Sequence, residues 1–135
     1  GTIAISEVRA RPPGAQIMTV ISRAHDFDAV AAWARLMVFD EFSAPARRYS
    51  VGVAYLRGQG NGGGQGGGRV KAIHGLDQVE RELGSLVVDF KLPTPGQAPT
   101  GSYEGEGFVI LRHPETAVVR RALQRLISTV RVELS

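Results

Sequence analysis

Cysteine is absent from this 135-residue chain, so it can form neither a disulfide nor a thiolate metal site. That absence is compatible with the cytoplasm, the location expected here. Lysine is nearly absent too: Lys71 and Lys91 stand against fourteen arginines. The arginines are scattered, with Arg47-Arg48 and Arg120-Arg121 as doublets. Aromatic residues make up 7% of the chain. Nucleic-acid binders cluster their bases among exposed aromatics; the lack of such a cluster and the small net charge of +3 argue against that partner. Long apolar runs are missing as well. None approaches the roughly 18 residues of a membrane helix, so no membrane partner is expected. What remains is an ordinary balance, 43% hydrophobic and 21% charged, on a chain long enough for one well-buried core.

The most informative stretch is Thr2-Ile3-Ala4-Ile5-Ser6-Glu7-Val8-Arg9-Ala10-Arg11-Pro12-Pro13-Gly14. It reads as a short strand to about Arg9 that ends in a turn, because two prolines and a glycine forbid its continuation. Alternation puts Ile3 and Ile5 on one face with Glu7, Arg9 and, if the strand runs that far, Arg11. The apolar end can be buried while the charged end stands at the exit. An acid beside guanidinium groups can hold a divalent cation and a phosphate together. An edge strand whose charges simply face water is the competing reading.

Two helices follow. Ile17, Val20, Ile21 and Ala24 repeat at helical spacing over residues 16–24. Asp26 or Asp28 can cap a second helix to about Phe39. Val30, Trp33, Ala34 and Met37 would line its core face. A strand is expected over 49–56, then a tract from Gly58 to Gly68 in which eight of eleven residues are glycine. Gly58, Gly60 and Gly63 match a dinucleotide fingerprint only formally, since a strand follows where a helix N-terminus is required. The tract is expected to be a mobile hairpin connection between antiparallel strands at 50–56 and 69–74. Further on the pattern gives a short helix capped by Asp77 and running through Leu83, strands at 86–91 and 107–112, and a loop at 92–105. A helix with Pro114 at its first position runs to about Leu126, with Val118, Ala122 and Leu126 repeating. The last strand holds Val130, Val132 and Leu134. From Arg69 the order is β-α-β-β-α-β, that of a ferredoxin-like split unit. The fold expected is therefore α+β: an N-terminal strand and helix pair, then a ferredoxin-like half. The division is 1–47 and 48–135, with the Gly-rich hairpin loop at 58–68 in the second part. His25, His74 and His113 show no metal-ligand spacing. Glu104 and Glu106 are expected to be solvated, and Ser22, Ser43 and Ser102 lack the context of a nucleophile.

The segment Glu7-x-Arg9-x-Arg11-Pro12-Pro13-Gly14 resembles the Glu-x-Asn-x-Arg-Pro-x-Gly motif that closes the active site of ATP-grasp ligases. The helices to about Phe42 resemble that family as well, and residues 105–134 resemble more loosely the C-terminal subdomain of its amino-acid-ligase branch. The resemblance implies Glu7 as the Mg²⁺ ligand and Arg11 as the catalytic arginine on the phosphate side. Arg9 stands where the family usually has asparagine. A guanidinium cannot ligate a cation, so Arg9 is expected to grip a substrate carboxylate, with Gly14 beside the substrate. The implied activity is ATP- and Mg²⁺-dependent joining of a carboxylate to an amine through an acyl phosphate. The implied partners are upstream ATP-grasp subdomains and small carboxylate and amine substrates. This chain would be the C-terminal part of such a ligase, inactive alone and without bound cofactor. The alternative is a non-catalytic interaction module in which the ferredoxin-like half pairs with a copy of itself.

Overall fold

The computed structural model describes residues 4, 5, 8, 10–59 and 68–135. The chain is α+β, with four α-helices and two three-stranded sheets among these residues. Most of the expected first strand, including Glu7 and Arg9, lies outside them. Ala4, Ile5 and Val8 are described; they belong to no strand, and Ile5 is exposed rather than buried.

Helix α1 spans Ile17–His25 and α2 spans Ala29–Phe39. Asp28 caps α2, its Oδ1 accepting the N–H groups of Val30 at 3.0 Å and Ala31 at 2.9 Å. Asp26 and Asp40 end the two helices in the left-handed region, at φ 52° and 55°, which aspartate tolerates better than most side chains. The expected core stripe of α2 is not covered by the described chain. Val30, Ala34 and Met37 are exposed, Trp33 is half-buried, and Ala29 is the helix's buried residue. Periodicity marks an apolar face but not what covers it.

The strands are β1 (Ser50–Leu56), β2 (Gly58–Gln59), β3 (Val70–His74), β4 (Val87–Lys91), β5 (Gly107–His113) and β6 (Arg131–Leu134). Helix α3 (Leu76–Leu83) and a following 3₁₀ turn (Gly84–Leu86) join β3 to β4, and α4 (Thr116–Thr129) joins β5 to β6. The β-α-β-β-α-β order from residue 69 is present. One sheet runs β1-β5-β4 and the other β2-β6-β3. Adjacent pairs of the split unit, β4 with β5 and β3 with β6, are both antiparallel. The two strands flanking the glycine tract do not pair with each other, however. β1 takes a seven-residue register against β5, from Ser50 opposite His113 to Leu56 opposite Gly107. The chain bends at Arg57, and β2 then joins β6 in parallel. The hairpin expectation is corrected there: β5 offers β1 a long apolar partner, whereas β3 completes the other sheet. Residues 60–67 of the tract, and its expected mobility, lie outside the described residues.

β5 carries Val109, Ile110 and Leu111 buried in succession, the mark of a strand covered on both faces. Val109 and Leu111 join Ala54, Leu56, Ala122 and Leu126 in the main core under α4. Ile110 alternates to the opposite face, where α1 packs on β1 and β5. Arg112 at the end of β5 ties in the turn between the helices. It donates to Asp26 Oδ1 at 2.6 Å and to the Arg23 carbonyl at 3.3 Å, and its guanidinium sits 4.2 Å over the Tyr49 ring. Pro114 precedes α4 by two residues instead of opening it, and Glu115 holds the cap position.

Candidate functional site

The turn after the motif arginine is the best-placed candidate. Arg11 lies in a bend and is exposed, as is Gly14. The Ile17 N–H donates to the Gly14 carbonyl at 3.1 Å, closing the turn into α1. Ala15 and Gln16 both have positive φ, 57° and 62°, a conformation that costs a non-glycine residue of order 1–3 kcal/mol. It persists because the turn is pinned: Ala15 is buried, and the Tyr55 hydroxyl donates to its carbonyl. Burial pushes the Tyr55 phenol up, and the charges of Glu104 and Tyr103 push the same way. Tyr55 therefore stays protonated as a donor at neutral pH. A residue of β1 thus fixes the turn that follows Arg11. Glu7 and Arg9 lie outside the described residues, so of the proposed constellation the structure places Arg11 and Gly14 alone.

The other chemistry-bearing groups sort into structural roles. The Nδ1 of His25 donates to the Pro45 carbonyl at 3.1 Å, and His113 Nδ1 accepts the Glu115 N–H at 3.0 Å. Among the described residues no three His, Asp or Glu side chains are placed to hold a metal ion. Glu106 was expected in solvent and is instead 3% exposed. Its carboxylate accepts the N–H groups of Gly58 at 2.7 Å and Thr100 at 3.2 Å. Its backbone N–H donates to the Leu56 carbonyl at 2.9 Å, and its carbonyl accepts Gln97 Nε2 at 3.1 Å. Glu106 is the staple that holds the 92–105 loop to the bend between β1 and β2. No periodicity announces such a role, because its partners are backbone groups from distant parts of the chain.

A second feature was not foreseen. Where β1 splays away from β6, beside the end of α4, a cleft of about 760 Å³ opens. Arg57, His74, Ser128, Arg131 and Glu133 stand among its lining residues. The β-α-β-β-α-β order hinted that β3 and β6 could be neighbours, but not that β1 would end beside them.

The fold is of the α+β type. No protein-family model and no curated protein sequence matches the chain. Among solved structures it is similar to that titled the L-amino acid ligase from Bacillus licheniformis, with 14% identity and a TM-score of 0.60. The match covers 85% of this chain and 29% of that ligase, so the chain spans under a third of its length. At that identity the likeness shows the fold alone.

Proposed function

We propose that the chain is the C-terminal part of an ATP- and Mg²⁺-dependent ligase that joins a carboxylate to an amine. The observation that carries this reading is the fold likeness to an L-amino acid ligase over 85% of the chain, together with the Glu7-to-Gly14 motif that precedes α1 in the sequence. The uncovered apolar face of α2 supports it, since a helix apolar on nearly every side is ordinarily packed on more than one. Upstream subdomains of the same protein are the partner proposed for that face.

The roles follow from chemistry. Glu7 would hold Mg²⁺ as a hard oxygen ligand. When bound, Mg-ATP supplies the phosphoryl group that activates the carboxylate. Arg11 would stabilise the charge on the transferring group, its guanidinium fork matching phosphate oxygens. Arg9 would grip the acidic substrate, and the Gly14 turn would lie beside it. Asp26 is engaged by Arg112, so it does not supply a free second acid. One carboxylate is too few to hold Mg²⁺ without phosphates. The chain alone should therefore give a flat calorimetric trace with Mg-ATP. In the intact ligase, Glu7→Ala and Arg11→Ala should each lower kcat at least about 100-fold while thermal stability stays near that of the parent. Arg9→Ala should act mainly on the KM of the acidic substrate. Unchanged kinetics in Glu7→Ala would overturn the assignment.

The exposed α2 face also favours a second reading, a non-catalytic module that pairs with a copy of itself. Sedimentation equilibrium separates the two: a dimer of the isolated chain that Met37→Asp dissolves would support the module.

A further inference from the structure

The cleft between β1 and β6 lies in the two-sheet half, away from the Glu7-to-Gly14 motif in the sequence. Its lining mixes polar and apolar surface: the buried Ala54, Leu56, Leu126 and Val132 lie behind it, and Ile127 adds an exposed apolar side chain. Its charged groups come from different strands. His74 on β3 is the register partner of Arg131 on β6, and Glu133 follows two residues on.

The single carboxylate among the lining residues is already used. Glu133 Oε1 accepts Lys71 Nζ at 2.7 Å and Oε2 lies 3.0 Å from His74 Nε2. Those two bonds and the Lys71 charge hold the Glu133 carboxyl below its ordinary range. Arg57 and Arg131 are different. Among the described residues the Arg57 side chain reaches only the Ser102 carbonyl, at 3.3 Å. Among the described residues neither guanidinium forms an ion pair. Glu104, the acid that acts on the neighbouring Tyr55, does not line the cleft. Two guanidiniums that form no ion pair among the described residues thus share a concave site with the already engaged Glu133 and the apolar Ile127. Its volume falls in the range of small-molecule sites. A guanidinium fork matches a carboxylate in two parallel bonds, and the apolar part of the lining rewards an apolar body over a hydrated one.

We propose that this cleft binds a small carboxylate carried on a compact apolar body. The site needs neither ATP nor Mg²⁺, and it stands or falls independently of the ligase reading.

The test is a ¹H–¹⁵N NMR titration of the 135-residue chain with hexanoate. Saturable shifts should centre on Arg57, Ser128 and Arg131, with half-saturation at or below about 10 mM. Hexan-1-ol and hexylammonium should give none, and inorganic phosphate should bind at least about tenfold more weakly, since it leaves the apolar part of the lining unused. Arg57→Ala with Arg131→Ala should weaken hexanoate binding at least about tenfold while the remaining spectrum stays that of the folded protein. Should the double variant not fold, Arg57→Gln and Arg131→Gln taken singly should each weaken binding, and the comparison of hexanoate with phosphate on the parent protein stands without any variant. Absence of saturable shifts, undiminished binding in the variants, or equal binding of phosphate would overturn the proposal. Failure here leaves the Glu7 experiment untouched, and failure there leaves this one.

Discussion

Helices α2 and α4 make opposite use of their sequences. α2 is apolar at every position but Arg35, yet among the described residues it buries only Ala29. α4 carries Arg120, Arg121 and Arg125, yet buries Val119, Ala122 and Leu126. Burial here follows pattern and partner rather than composition. α4 presents one narrow stripe and a sheet lies under it, close enough that a Cβ on Gly52 would meet Leu123 Cδ1 at 2.5 Å. α2 offers apolar surface on several sides, and among the described residues α1 is the element it chiefly meets. Among the described residues α2 leaves its apolar surface uncovered, whereas the two-sheet half closes on its own core.

Core deletions should break this comparison most visibly. Leu126 is 1% exposed in the middle of the main cluster. Leu126→Ala removes its buried methyls and leaves a cavity, at a cost of about 2–5 kcal/mol. Met37→Ala on the exposed face of α2 should stay within about 0.5 kcal/mol. Urea midpoints of the two variants measure the contrast. Comparable losses would mean that α2 is packed in solution and that its apolar face already has a cover in the isolated chain.

The tie between the regions offers a finer test. Tyr55 stands on β1 and donates to the Ala15 carbonyl ahead of α1. Tyr55→Phe keeps the ring and removes the bond, for about 1 kcal/mol. Because Ala15 and Gln16 hold positive φ, the freed turn should relax. Amide exchange should therefore quicken at Ile17 and Val20 while β5 stays protected. Uniform acceleration across both regions would show instead that the bond supports the fold as a whole.

These outcomes bear on what the sequence could tell. Element type and order were legible almost throughout, because each helix and strand carries its own period. β4 and β5 fall within a residue of the expected bounds. Partners were less legible. Nothing local says that β1 pairs with β5 across fifty residues of chain and not with β3 across the glycine tract. On α4 the repeat of Val118, Ala122 and Leu126 was slightly misread: Val119 is the buried residue and Val118 only half-buried, because the stripe mixes steps of three and four. Of the candidate site, the Pro-Gly turn was legible through its backbone chemistry. The burial of Glu106 was not, since its two backbone donors, Gly58 and Thr100, come from segments without a pattern. The cleft was invisible for a like reason: Arg57 sits in the bend between β1 and β2 and Arg131 opens β6, and only the folded sheets bring both to one cleft.

The smallest effect concerns the surface of the self-contained half, where α3 leans on α4. Glu82 accepts from Arg125 Nε at 2.7 Å and Nη2 at 2.9 Å, and from Gln78 Nε2 at 2.9 Å. The bonds from Arg125 and Gln78 hold its carboxyl down to about 2, from an ordinary value of 4.5. A carboxyl whose folded pKa is depressed adds stability above its unfolded pKa, and loses it as pH falls through the folded one. The contribution of Glu82 should thus be complete at neutral pH, shrink below about 4.5 and vanish near 2. Both side chains are well exposed, so the effect is modest and weakened by salt. Glu82→Gln keeps an amide oxygen for Arg125 but removes the charge. Its stability deficit against the parent, read from urea midpoints at stepped pH and low salt, should narrow steadily on acidification. A deficit unchanged between neutral pH and pH 3 would mean that the carboxylate charge plays no part in joining the two helices.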